Sequence, residues 1–431
     1  MPTPRILGLS ASLRNARSKA GAHRLGDEIA ALSSRDELQA YLDEQANIHL
    51  GQFMEAGRKD GKPFDELYRN LQRSGGLKGL SNSEIALAAA LWGARDKGAE
   101  ISHIPLPDHF PASGEPQNLD ELKAALRAAD GIIVSTPVYF GDRGSLVQEF
   151  VEMIRADDEL RADLEGKLYA GVSVGAKRNG GQETTLIYAM MDMLTLGFLA
   201  VGNDSATTSQ YGGTGHAGDV GTMPKDKYGL DTAIGTGRRI ASVAALLKVA
   251  DEGALTDRPK MDFWVLQDRD GELGDRMAPF AKAIEAEAET RFLSLVDKTI
   301  RPCIACDICP THVGPDGEYR CIIRRREDGV VDAHAELLKA DVLVPALYSP
   351  VDRKGLVSVY QQFMERTRYL RRGDYVFTDH LVLPLVVTEV GSKEFLDLRM
   401  MTSFVRHHTV PVEPVVALVH EGKLLNPEEV S

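Results

Sequence analysis

The chain has 431 residues, enough for two or three domains with sizeable cores. It is 43% hydrophobic and 26% charged, the make-up of an ordinary globular protein, and no apolar run approaches the ~20 residues that cross a bilayer. A net charge of −13 argues against a general nucleic-acid binder, which needs a clustered basic surface. The opening MPTPRILGLS lacks the pattern of a secretory leader, so cytoplasmic residence and no membrane association are expected.

Residues 5–9 (RILGL) predict a buried strand that runs into the polar loop SASLRNARS. Residues from about 20 to 80 read as helical with little strand signal, and Ser34 and Glu37 have the spacing of a capping box. Ser81-Asn82-Ser83 precede the helix EIALAAALWGARDKG, and EISHIPL is a second strand. ADGIIVSTPVYFG is a strand entering a turn, GSLVQEFVEMI a helix, and LYAGVSVGAKRNGGQETT a strand, a glycine-rich loop and a helix start. The loop YGGTGHAGDVG follows, then a helix with Ile240, Val243, Ala244 and Leu247 on one face. The polar stretch at 251–260 reads as a linker.

Beyond it the pattern restarts. MDFWVLQ predicts a first strand and PFAKAIEAEAETRFLSLVDK a helix. ADVLVPALYSPVDRKGLVSVYQQF parallels ADGIIVSTPVYFGDRGSLVQEF, matching Asp341 to Asp130, Tyr348 to Tyr139 and Arg353 to Arg143. HLVLPLVVTEVGSKEF parallels KLYAGVSVGAKRNGGQET, which makes an internal duplication at a spacing of roughly 210 residues. Alternating strands and helices predict an α/β protein with doubly wound parallel sheets in two domains, 1–250 and 251–431.

All four cysteines lie in one window, Cys303-x2-Cys306-x2-Cys309-x11-Cys321. A close CxxCxxC run with a later fourth thiolate is a common grip for an iron–sulfur cluster. Zinc, which more often takes two separated pairs, stays open as an alternative. His312 lies inside the window as a further ligand candidate. Arg324, Arg325 and Arg326, and the set Arg366, Arg368, Arg371 and Arg372, either face solvent or tune the centre and dock an anion.

In an open parallel sheet, ligands bind at the carboxyl ends of the strands. Three loops of the first half stand there. Ser10, Ser12 and Arg14 offer hydroxyls and a cation for a phosphate. Pro137, Val138, Tyr139 and Phe140 place an aromatic pair on a rigid turn, and Asn179, Gly180, Gly181 and Gln182 offer amides to a ring edge. The first of these loops lacks both GxGxxG and the P-loop pattern. Tyr139 and His216 are acid/base candidates.

GLSASLR, SNS before a helix, STPVYFG and KRNGGQETT together resemble the NAD(P)H-dependent FMN reductases of flavodoxin-like fold, over roughly residues 4–250. The resemblance implies FMN, with its phosphate at Ser10, Ser12, Arg14, Ser81, Asn82 and Ser83 and its ring against the PVYF and NGGQ loops. The family keeps SASLR and SNS contiguous, whereas here about 65 residues separate them. RPCIACDICP…CIIRRREDGVVDAHAELLKADVLVPALYSP resembles the cluster segment of iron–sulfur flavoproteins over roughly residues 261–431, which implies a 4Fe-4S cluster on the four cysteines.

The second half is expected to lack FMN, because Gln267-Asp268-Arg269-Asp270 stand where the first half has SASLR and YSPVD replaces PVYFG. The expectation is thus two flavodoxin-like domains in tandem, the first with a helical insertion. Electrons would enter at FMN, with NAD(P)H as donor, and be exchanged with the cluster to reduce a small-molecule acceptor. An electron-transfer module serving a redox protein partner and a zinc-stabilised, non-redox binding protein are the alternatives, and a homo-oligomer stays open.

Overall fold

The computed structural model describes residues 2–15, 25–73, 79–204, 210–251, 258–309, 318–324, 327–372 and 374–430. The chain forms two compact units, Met1–Ala254 and Leu255–Ser431. His312, Arg325 and Arg326 lie outside the described residues.

The first unit runs β1 (Arg5–Ser10), α1 (Leu25–Ala30), α2 (Arg35–Phe53), α3 (Phe64–Arg73), α4 (Asn82–Asp96), β2 (Glu100–Pro105), α5 (Leu119–Ala128) and β3 (Gly131–Pro137). It continues with α6 (Ser145–Arg155), α7 (Asp158–Leu164), β4 (Leu168–Gly175), α8 (Gln182–Leu194), β5 (Leu199–Ala200), β6 (Gly213–His216) and α9 (Lys227–Asp251). All strand pairs are parallel, in the order β2-β1-β3-β4-β5, with β6 also on β4. This is the flavodoxin order. Every residue of β4 is buried, as expected of a strand covered on both faces.

Helix α4 is buried from Ser83 to Ala94 because the sheet, α9 and the insertion helices α1 and α2 all contact it. Its small residues let α9 come close: a Cβ on Gly237 would lie 1.7 Å from the Ala90 carbonyl oxygen, and one on Gly93 2.2 Å from that of Ile234. The capping box forms fully at α4, where the Glu84 N–H donates to Ser81 Oγ and the Ser81 N–H to Glu84 Oε2. At α2 only half of it forms. Ser34 caps the Glu37 N–H, but the Glu37 carboxylate accepts from Ser33 instead.

The second unit runs β7 (Lys260–Arg269), α10 (Glu272–Ala283), β8 (Glu289–Ser294), α11 (Gly329–Leu337), β9 (Val342–Ser349), β10 (Leu356–Ser358), α12 (Tyr360–Arg366) and α13 (Arg368–Arg372). Then come β11 (Leu381–Val382), β12 (Leu385–Glu389), α14 (Leu396–Phe404), β13 (Val410–Pro411) and β14 (Val415–His420). Its parallel strands repeat the order as β8-β7-β9-β12-β14, and β10 adds antiparallel to the end of β7. Two flavodoxin-like sheets therefore follow one another in the chain. The predicted helix over 279–298 is corrected. Residues Glu289–Ser294 form a strand because they pair with β7 and Phe292 stacks on Phe263 at 4.7 Å, contacts that local pattern does not show.

The duplication extends to detail. Asp130 Oδ2 accepts the Arg5 N–H at 2.7 Å, and Asp341 Oδ2 accepts the Lys260 N–H at 2.8 Å, so each aspartate ties down the start of its unit's first strand. The pairing of Tyr139 with Tyr348 does not hold. Tyr139 stands on a turn and is 59% exposed, whereas Tyr348 lies inside β9 and is 1% exposed.

Candidate functional site

The nominated residues of the first unit gather at the carboxyl ends of β1, β3 and β4. Ser10 is in register with Ser135 on β3, and the Ser135 hydroxyl donates to the Ser83 carbonyl at 2.7 Å. The fold thus reunites the SASLR and SNS pieces across the helical insertion. Ser10 Oγ lies 3.0 Å from His103 Nε2, Ser12 is buried, and Arg14 is exposed on the short turn Leu13–Asn15. Ser81 and Asn82 have local roles. Ser81 completes the α4 cap, and Asn82 Nδ2 donates to the Asp219 carbonyl while its Oδ1 accepts the Met223 N–H.

After β3 the chain makes a tight turn in which the Tyr139 and Asp142 N–H groups each donate to the other's carbonyl. Phe140 (φ 54°) and Gly141 (φ 82°) are both left-handed, the geometry of a type I′ turn. A bulky side chain there is strained, and the Phe140 ring is held fully in solvent. Pro137 and Val138 are half-buried below it. The third loop abuts the turn: a Cβ on Gly181 (φ 104°) would lie 2.6 Å from Gly141 Cα. Asn179 is left-handed as well. Gln182 is not open to a ring, because Nε2 donates to the Lys177 and Gly215 carbonyls and Oε1 accepts the Gly180 N–H. It pins the loop that carries Asn179 and Gly181.

Beside this loop is a cavity of about 520 Å³ reached by Arg178, Glu183, Thr214 and Tyr228. Arg178 pairs with Asp226 and lies over the Tyr228 ring at 5.1 Å. No local pattern signals these contacts, since Asp226 and Tyr228 lie outside the three loop motifs. His216 ends β6 opposite Gly175, with its N–H donating to Asp226. The insertion holds the adjoining loop: Arg58 Nη2 donates to both Asp219 carboxylate oxygens at 2.7 and 2.8 Å and keeps that carboxyl below the usual range, with a smaller push from Arg14.

In the second unit, Cys303, Cys306, Cys309 and Cys321 are half-buried free thiols. Ala305 and Asp307 are left-handed, which coils the first three cysteines into a tight loop, and the Ala305 N–H points at Cys303 Sγ (3.4 Å). Burial pushes the Cys309 thiol up, with Cys303 and Cys306 adding to the push, so these three lie within electrostatic reach of each other. Cys309 and Cys321 pack against the core. Among the described residues no three His, Cys, Asp or Glu side chains are closed around a common metal position.

The base of this loop is held by a buried ion pair. Arg366 Nη1 donates to Asp328 Oδ2 (2.7 Å) and the Arg301 carbonyl (2.9 Å), and its other nitrogen reaches Tyr319. Asp328 also accepts the Arg301 N–H. Arg366 therefore joins the residues just before Cys303 to those just before Cys321. It is no part of an exposed basic set. Arg368 and Arg372 both pair with Asp307, inside the cysteine loop.

A family model described as NADPH-dependent FMN reductase matches residues 73–212. An iron–sulfur flavoprotein of Methanocaldococcus jannaschii is 32% identical over 188 residues, covering 41% of this chain and 96% of that protein. The chain belongs to the iron–sulfur flavoprotein family. A second iron–sulfur flavoprotein, from Methanosarcina thermophila, is 28% identical over 191 residues, 41% of this chain and 94% of that one. An NAD(P)H dehydrogenase (quinone) of Methylocella silvestris is 31% identical over 175 residues, 36% of this chain and 87% of its own length.

In this member of the family the carboxyl edge of the second sheet is occupied largely by its own paired side chains, beside a cavity of about 300 Å³ at Val351, Arg353 and Glu394. Asp268 Oδ1 accepts the Arg269 and Leu273 N–H groups at 2.7 and 3.0 Å, so a carboxylate fills the start of α10. Burial pushes its carboxyl up. Tyr348 donates to Glu389, Arg269 reaches Tyr348, Glu272 and Glu389, and Glu394 accepts from Gln267 and Ser349 and pairs with Arg353. Anionic side chains thus occupy the edge that the first sheet leaves to hydroxyls and glycines. Among the described residues no helix is long and apolar enough to cross a membrane.

Proposed function

We propose that the chain is a redox enzyme that binds FMN in its first unit and a 4Fe-4S cluster in its second, takes electrons from NAD(P)H and reduces a small-molecule acceptor. The observation that carries this reading is the contrast between equivalent strand ends: serine hydroxyls, glycine loops and exposed aromatics after β1, β3 and β4, against the self-paired carboxylates of Asp268 on β7, Glu389 on β12 and Glu394 beyond it. Bound FMN can accept a hydride and release electrons singly, and a four-thiolate cluster carries one at a time.

Ser10, Ser12 and Arg14 suit the phosphate, with Ser83 beside them, while Ser81 and Asn82 fix the ends of the site. Phe140, Tyr139 and the Asn179–Gly181 loop suit the ring, since a strained, exposed aromatic on a glycine-pinned turn has little structural purpose of its own. Four free thiols on one loop, with an N–H already aimed at the first, suit a cluster. Similarity to an iron–sulfur flavoprotein and to an NAD(P)H dehydrogenase (quinone) supports both groups and the donor.

Anaerobic purification with flavin, iron and sulfide analysis tests the reading. One FMN and one four-iron cluster per chain is the expected result. Two FMN per chain would end the proposed division, and a colourless zinc protein would end the cluster. Bleaching of the flavin by NADH or NADPH separates an enzyme from a module reduced by a protein partner.

A further inference from the structure

A cavity of about 460 Å³ lies beside Cys303, lined among others by Arg368, Arg371, Arg406, Ser403, Glu365 and His407. Its charge is lopsided. Arg368 is paired with Asp307, but no carboxylate stands at ion-pair distance from Arg371 or Arg406 among the described residues. Glu365 is the one acidic side chain lining the cavity among them. Arg371 is half-buried, and both its burial and the charges of Arg406, Arg368 and Arg372 disfavour its cation. Holding the Arg371 and Arg406 guanidinium groups near further arginines without an ion-pair partner of their own is costly, and a bound anion relieves that cost.

His407 adds a second, independent feature. It is 3% exposed, and its Nε2 lies 3.2 Å from Thr367 Oγ1, while its Nδ1 has no hydrogen-bond partner among the described residues. A buried ring nitrogen without a partner on the wall of a cavity is a group that a ligand or its bound water can satisfy. The cavity has the size of a small-ligand site, roughly 300–1,000 Å³. Its forked donors match the paired oxygens of a phosphate or carboxylate.

We infer that this cavity binds a small polyanion, a phosphate ester or a polycarboxylate, next to the cysteine loop. This goes beyond the proposed redox function, and it rests on that function only for the consequence that the anion would sit beside the electron-carrying centre. Calorimetric titration of the full chain with pyrophosphate and with citrate at low salt is the test. Saturable binding is expected. Stronger binding of pyrophosphate would identify a phosphate ligand, and stronger binding of citrate a carboxylate one.

The exposed Arg406→Gln should weaken binding on the order of tenfold, and Arg371→Gln combined with it should remove the binding. The double variant also separates this site from the phosphate-binding residues of the first unit. Arg155→Gln, on α6, controls for general charge and should change nothing. No saturable binding of either anion, or equal loss in Arg155→Gln, would overturn the inference. The titration reads no electron transfer, so its failure and a failure of the redox reading are distinguishable.

Discussion

The carboxyl ends of β1 and β7 occupy equivalent places in two sheets of the same strand order, yet their chemistry is opposite. After β1 the chain offers Ser10 and Ser12 with Arg14 close by. At the end of β7 it places the Asp268 carboxylate on the Leu273 N–H in the first turn of α10, where a phosphate would otherwise be attracted. The next loops diverge in the same sense. Phe140 is held out to solvent beyond β3, while near the end of β9 Tyr348 is buried and bonded to Glu389. One scaffold therefore holds a ligand edge open in one copy and seals it with its own side chains in the other. The sealed copy is the one in which the connection from β8 to α11 carries the thiols.

The largest expected effect tests the sealed copy. Arg366 and Asp328 are 1% and 0% exposed, and removing one partner leaves a buried charge. Arg366→Ala should cost ~3–5 kcal/mol and release iron, read by thermal unfolding and iron content. An unchanged melting temperature would show that the pair does not hold the cysteine loop.

Gly181→Val tests the open copy. A side chain there meets Gly141 at a left-handed φ, so roughly 1–3 kcal/mol of strain and loss of bound FMN are expected, with the second unit's iron unaffected. Phe140→Gly is milder, because glycine accepts φ 54° and the turn survives. FMN should bind about tenfold more weakly, measured by fluorescence titration. Retained affinity would remove Phe140 from the ring site.

The smallest effect concerns the sealing carboxylates, whose pH signs oppose each other. The Asp268 carboxyl is pushed up by burial, so its charge works against folding as pH rises through its folded value. Asp268→Asn should melt slightly higher at neutral pH, with the gain vanishing below the ordinary aspartate range. The Glu389 carboxyl is held low, chiefly by the Tyr348 hydroxyl, so its stabilisation is full above the ordinary glutamate range and is lost as pH falls through the lowered value. Glu389→Gln should therefore melt lower at neutral pH and match the parent in acid. Parallel melting profiles for both variants would contradict the distinction.

The alternation of strands and helices, the repeat, the helix start at Ser81–Ser83 and the single window of thiols were legible in the sequence alone. These rest on local spacing, which the backbone reads directly. That Glu289–Ser294 is a strand follows from long-range pairing, because its ladder with β7 outweighs a helical local pattern. Nor could spacing show that Ser83 returns to Ser135 across the insertion, that Gln182 bonds its own loop, or that Arg366 lies inside the protein while Arg406 and Arg371 face a cavity. The type of residue was legible in each case. Which partner it found was not, because burial and ion pairing are set by elements far apart in the chain.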